Sequence, residues 1–412
     1  MKRRQFLLGL TAMGAAAATY SGYRFWPGDL LDTGLNNPCL GALPEHITQQ
    51  ALYQQIWQGI DPNQVWDCHV HLVGVGDSGG NDAPWFNPAM DSYSHPILKL
   101  QKYFYMNGGC VAANRIDQSY VERLTALVAG MKPGCKAMLL AFEWLHDENG
   151  QPQPAQSIFH IPNRYAAKIA LENPGLFEWA ASIHPYRADC IDALQQAKAE
   201  GARAIKWLPS AMGIDPLSKK CDRFYQQAAA LGLPIISHTG RESAVQGGNQ
   251  DYANPLRLRR ALDHGVKVAL AHCGSYGKDV DLDKGEHVPR VKSFELFSRM
   301  MDTPAYEKLL VGEISALALR NYEWALKPIL ARSDWHMRLI NGSDYPLPGI
   351  MPLMDAASLA RQGLLEDEAV AFLQNIKQHN ALLFDFALKR LLRHDGNSFP
   401  AGVFETRKFF ES

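Results

Sequence analysis

The sequence predicts an α/β protein of the (β/α)8 type, a TIM barrel, with a long insertion after its first strand. Its 412 residues, 47% of them hydrophobic, suffice for one barrel-sized core. A phrase of amphipathic helix, glycine and apolar strand recurs through the middle of the chain: Gly201 precedes the run 202–208, Gly232 the run 233–237 and Gly265 the run 266–271. Glycine just past a helix end takes the left-handed cap, and continuous apolar strands call for a parallel sheet covered by helices. A doubly wound open sheet is the alternative, but no Gly-x-Gly-x-x-Gly follows the first strand.

In chain order, Met1-Lys2-Arg3-Arg4-Gln5-Phe6-Leu7-Leu8 opens an apolar run reaching Ala18, too short to span a bilayer comfortably. The Arg-Arg-x-Phe-Leu form resembles the twin-arginine export signal, which implies carriage by the twin-arginine machinery to the periplasm. Residues 1–27 are read as that signal, with an uncleaved anchor as the alternative. Residues 28–64 form a polar lead-in with one helix around 45–59. Eight strands are expected at 65–68, 135–142, 176–183, 202–208, 233–237, 266–271, 309–312 and 337–341. Eight close a barrel over 65–395, leaving 396–412 as a C-terminal tail. The insertion 73–118, rich in glycine and aromatics, is expected to lie over the mouth as a lid. The acidic stretch 274–288 reads as a solvated loop.

A formal net charge of −1 gives no general attraction to nucleic acid, so the expected partner is a small-molecule substrate. Seven cysteines without a CxxC pair exclude a thiolate zinc knuckle; one or two disulfides fit an oxidising compartment, and Cys68 and Cys273 read as buried thiols.

Chemistry concentrates where the strands end. His69 and His71 lie one residue apart on the first strand, so they share a face and suit a divalent cation. The following ends carry Glu143, His184, Lys206, His238, His272, Glu313 and Asp344. Five of the eight ends hold histidine or aspartate in a chain with only 14 histidines, and in a barrel all eight meet at one mouth.

His69-x-His71, Lys206 in Ala-Ile-Lys-Trp-Leu-Pro, His238 in Ser-His-Thr-Gly, His272 in Ala-His-Cys-Gly and Asp344 in Gly-Ser-Asp-Tyr-Pro together resemble the amidohydrolase superfamily, in its amidohydrolase-related branch. The resemblance implies one divalent metal, most often zinc, held by His69, His71, His238 and Asp344, with a position left for water whose pKa the ion lowers. Asp344 would also take that water's proton, and His272 would orient it or act as acid or base. In the two-metal alternative Lys206 bridges both ions. Arg187 and Arg241 are weaker candidates for gripping an anionic substrate group, with loop salt bridges as the other reading. Glu143 and Glu313 are candidates for fixing histidine tautomers, and Trp207 and Tyr345 for lining the pocket.

The function expected is a metal-dependent hydrolase of a lactone, ester or amide. A non-oxidative decarboxylase of the same branch and an inactive barrel used as a binding module are the alternatives. Gly76-Asp77-Ser78-Gly79-Gly80 spells the nucleophile motif of trypsin-like proteases, but only a signal, a linker and one strand precede Ser78, so it reads as a glycine-rich loop.

Overall fold

Eight parallel strands follow one another in chain order around a single sheet. They are β1 (Trp66–His71), β2 (Lys136–Leu140), β3 (Phe177–Ala181), β4 (Ala204–Trp207), β5 (Ile235–His238), β6 (Val268–Ala271), β7 (Leu310–Glu313) and β8 (Leu339–Ile340). The computed structural model describes residues 36–411 except Gln246 and Glu286; the expected export signal, 1–27, lies outside the described residues. The ring closes between β8 and β1, where the Cys68 N–H reaches the Asn341 carbonyl (3.2 Å) and the His71 N–H the Tyr345 carbonyl (2.9 Å). The TIM barrel is therefore present.

Period two sorts the strand residues. Trp66, Cys68, Met138, Leu140, Ala180, Ala204, Ile236, Ala269 and Ile340 form the inner cluster. Their neighbours Val70, Leu139, Trp179, Ile205, Trp207, Ile235 and Leu270 belong to the larger layer shared with the helices. The C-terminal segment seals the inner cluster from below: Phe410 stacks on Trp66 at 6.3 Å and the Thr406 hydroxyl donates to the Trp66 carbonyl.

The insertion supplies α1 (Pro96–Gly108), followed by α2 (Ile116–Ala129). The covering helices are α3 (Asn163–Glu172), α4 (Cys190–Ala199), α5 (Asp222–Ala230), α6 (Arg259–Asp263), α7 (Ser293–Met301) and α8 (Leu326–Ala331), with α9 (Asp367–His379) and α10 (Ala381–Leu391) last. The expected lead-in helix is two short ones, Glu45–Thr48 and Ala51–Ile56, broken where Gln50 turns extended. Helix α1 rests on loops that follow β5 and β8: the Tyr105 hydroxyl donates to the Ala244 carbonyl (2.6 Å), and a Cβ on Gly108 would meet the Pro346 carbonyl oxygen at 2.9 Å. A Cys39–Cys110 disulfide ties the lead-in to the end of this helix, while Cys68 and Cys273 are buried thiols.

The acidic stretch 274–288 is only in part a solvated loop: Lys278, Asp283, Lys284 and His287 are exposed, but Asp279 and Asp281 are buried. Asp281 is buried and paired with Arg299 of α7 (2.8 Å), and Asp283 is paired with Arg259 (2.5 Å) and Arg299 (2.7 Å). Two helix arginines facing it explain the concentration of aspartates. Ser78 gives its hydroxyl to Asp117 (2.7 Å), and Asp77 accepts the Asp117 N–H (2.9 Å), so the glycine-rich loop anchors the start of α2.

Candidate metal centre

The register between β1 and β2 shifts between Asp67 and Val70. There Asp67 Oδ1 accepts the N–H groups of His69 (3.2 Å) and Ser343 (2.8 Å), replacing ladder partners. Beyond the shift Val70 packs outward, and His69 and His71 share the other face with ring centres 5.1 Å apart. Asn341-Gly342-Ser343-Asp344 crosses above them, and only glycine fits at 342: a Cβ there would lie 2.5 Å from His69 Cβ and 2.7 Å from Glu313 Oε1. Asp344 then adopts a left-handed conformation (φ 61°), and its N–H bonds the His69 carbonyl (2.8 Å). That turn aims Oδ1 back over β1, 3.1 Å from His71 Nε2 and 3.4 Å from His69 Nε2. His272, at the end of β6, is also left-handed (φ 60°). Strain of this kind in non-glycine residues collects at functional sites.

Hydrogen bonds fix the tautomers. His69 gives its Nδ1–H to Glu313 Oε2 (3.0 Å), and His238 Nδ1 lies 3.3 Å from Glu242 Oε2. The Ser315 hydroxyl donates to Glu313 Oε2 (2.6 Å), which leaves its oxygen to accept the His272 Nδ1–H (2.9 Å). His69 and His272 therefore keep an Nε2 lone pair, and His238 Nε2 is buried without a hydrogen-bond partner. The ring of His272 lies 5.3 Å from that of His69 and 4.9 Å from that of His238, so the three stand together. Lys206 Nζ occupies the His69 lone pair at 2.8 Å.

Burial drives the charges. It pushes His238 and His272 down to about 3 and His69 well below its ordinary value, so the rings are neutral at pH 7. Burial alone would raise Asp344, but the surrounding imidazoles of His69, His71 and His272, with the hydrogen bond from His71, hold it well below the usual carboxylate range. Burial also lowers Lys206, against the pull of Asp344, Glu313 and Glu242.

Neutral imidazoles beside an ionised carboxylate are what a divalent cation binds. Among the described residues, His69, His71 and Asp344 form the one trio whose ligand atoms all lie within 4.8 Å of one another. His238 supplies a buried Nε2 with no hydrogen-bond partner, an orphan that a cation would satisfy. The donor set thus fits a metal held by His69, His71 and Asp344, with His238 outside that trio.

Other sequence candidates stand elsewhere. His184 spends both nitrogens on backbone, donating Nε2–H to the Met212 carbonyl (3.0 Å) and accepting the Tyr186 N–H (3.2 Å). Glu143 does not orient a ligand histidine, because Arg187 holds its Oε2 at 2.7 Å. Arg187 is accordingly in a loop ion-pair network, completed by Asp189 (2.7 Å), and the Arg241 side chain is exposed. Trp207 points away from the mouth, donating Nε1–H to the Ile183 carbonyl (2.9 Å), and Tyr345 packs against Tyr120 at 5.7 Å; both are packing residues. Glu242 and Ser315 were not anticipated. The only signal for them was position, a carboxylate four residues after His238 and a hydroxyl two after Glu313.

A profile of the amidohydrolase family matches residues 66–370. No curated protein matches. Similar solved structures include a Pseudomonas putida protein provisionally named 2-pyrone-4,6-dicarboxylic acid hydrolase, 15% identical, covering 84% of this chain and 97% of its own, with a TM-score of 0.43. A 5-carboxyvanillate decarboxylase from Sphingomonas paucimobilis is 10% identical over 75% of this chain and 95% of its own, with a TM-score of 0.43. A manganese-bound dihydroxybenzoic acid decarboxylase from a Polaromonas species is 12% identical over 78% and 96%, with a TM-score of 0.40. Because the profile runs from the first strand of the barrel to well beyond its last, the chain belongs to the amidohydrolase family.

Proposed function

We propose that the protein is a metal-dependent hydrolase that cleaves a C–O or C–N bond of a small lactone, ester or amide, with His69, His71, His238 and Asp344 holding one divalent ion, zinc by expectation. One observation carries the reading: the Asp344 carboxylate lies 3.1 Å from His71 Nε2 and 3.4 Å from His69 Nε2, with the rings of His272 and His238 standing in sequence beside them and His238 Nε2 buried without a partner. When bound there, a cation supplies Lewis acidity, acidifying a water and polarising the scissile carbonyl. Asp344, kept ionised by the surrounding imidazoles, takes the proton of the attacking water. His272, with its Nδ1–H fixed by Ser315, has Nε2 available to orient that water and to pass a proton to the leaving group. Lys206 and a cation compete for one lone pair on His69, so Lys206 Nζ must leave Nε2 for the site to fill. The reading includes export to the periplasm by the twin-arginine machinery, which the Cys39–Cys110 disulfide supports.

The test joins metal analysis to product analysis. Purified protein should carry a divalent ion, lose activity on chelation and regain it on reloading, and isotope from labelled water should enter the product. Carbon dioxide release without label would assign decarboxylation instead. Absence of ion together with activity that survives chelation would defeat both.

A further inference from the structure

A cavity of about 540 Å3 opens over the C-terminal ends of β2 and β3. Glu143, Trp144, His146, His160, Arg187 and Asp189 shape its wall, and none of the residues proposed to hold the metal lines it. The guanidiniums here are already matched. Arg187 donates to Glu143 Oε2 (2.7 Å) and to both oxygens of Asp189 (2.9 and 2.7 Å), while Arg164 faces Asp82 at 3.6 Å.

Lone pairs are what remain. His146, 5% exposed, gives its Nδ1–H to the Gly150 carbonyl (3.0 Å), so in the neutral ring Nε2 is an acceptor. That nitrogen is buried without a hydrogen-bond partner among the described residues and stands 3.5 Å from Glu143 Oε1. His160 Nδ1, on a ring stacked 4.1 Å from Trp144, is likewise buried without a partner. Two acceptors at that distance repel unless one donor group bridges both from the side, and an unsatisfied buried polar atom is costly. An anion would add to the charge of Asp82, Glu143 and Asp189. A divalent metal would find no trio of ligand atoms here among the described residues.

We propose that this cavity is a second ligand site, for a small primary amine whose ammonium group donates to His146 Nε2 and Glu143 Oε1. The site stands apart from the hydrolase reading and needs no metal.

Three probes of similar size test it on the full chain, with and without chelator: ethanolamine, ethylene glycol and acetate. Calorimetry should show saturable ethanolamine binding, unchanged by chelation, with acetate not binding and ethylene glycol weaker. A crystal soaked in ethanolamine should place nitrogen between His146 and Glu143. His146→Phe, which keeps a ring against His184, should weaken ethanolamine by about tenfold or more, the effect of losing a charge-assisted hydrogen bond. Nitrogen NMR of the wild type, which does not depend on the variant folding, should show His146 as a neutral ring protonated at Nδ1. No ethanolamine binding, preference for acetate, ethylene glycol binding as tightly as ethanolamine, undiminished binding by His146→Phe, or an imidazolium at residue 146 would each overturn the proposal.

Discussion

On one side of the barrel mouth, His69 and His272 give Nδ1–H to the side chains of Glu313 and Ser315, and His238 Nδ1 lies 3.3 Å from Glu242. On the other side, His146 and His184 give a ring N–H to main-chain carbonyls, of Gly150 and Met212, and stack on each other at 4.4 Å with 16° between planes. Both groups sit at strand ends, and both are buried. What separates them is where the spare nitrogens go. In the first group Nε2 atoms gather around Asp344; in the second, the backbone consumes both nitrogens of His184 and leaves His146 facing Glu143. Burial near the barrel mouth therefore does not by itself make a histidine a ligand candidate; convergence of several rings on one carboxylate does.

The strongest way to break that distinction is to exchange one residue from each side. Asp344→Ala should lower kcat by about 10²–10⁴-fold and release the metal, as loss of a positioned acid–base and ligand group does. His184→Phe should leave metal content unchanged, and should cost about 1–3 kcal/mol of stability by orphaning the Met212 carbonyl and the Tyr186 N–H. Metal analysis and denaturant unfolding of the two variants check this; loss of metal from the His184 variant would erase the difference between the clusters.

A smaller effect sharpens it. Burial pushes His184 from 6.5 down to about 3. A lowered folded-state pKa means that the unfolded chain binds the extra proton first, so this contribution is whole above pH 6.5 and is lost as pH falls through that window toward 3. Removing the ring in His184→Phe should flatten the fall of stability with acid by one proton, about 1.4 kcal/mol per pH unit. Unfolding curves for wild type and variant across that window measure it, and parallel slopes would show that His184 does not stay neutral.

Much of the barrel was legible because its signals are local. Gly201, Gly232 and Gly265 adopt the left-handed caps their positions predicted, and period two places Lys206 inward and Trp207 outward, a contrast readable from adjacency in one strand. Ligand candidates were legible for the same reason, since a strand end fixes both place and face. Glu242 and Ser315 were not, because their role depends on loop turns that bring them under His238 and His272. The separation of His184 was hidden likewise: its partners come from residues 186 and 212, in loops that no periodicity describes. Nor does spacing reveal that Cys39 pairs with Cys110 across 71 residues.

Anomalous diffraction from crystals loaded with zinc tests the central claim most directly. An ion is predicted within about 2.0–2.3 Å of His69, His71 and His238 Nε2 and of Asp344, with Lys206 Nζ displaced from His69. An ion found instead between Glu143 and His146, or no ion at either place, would contradict it.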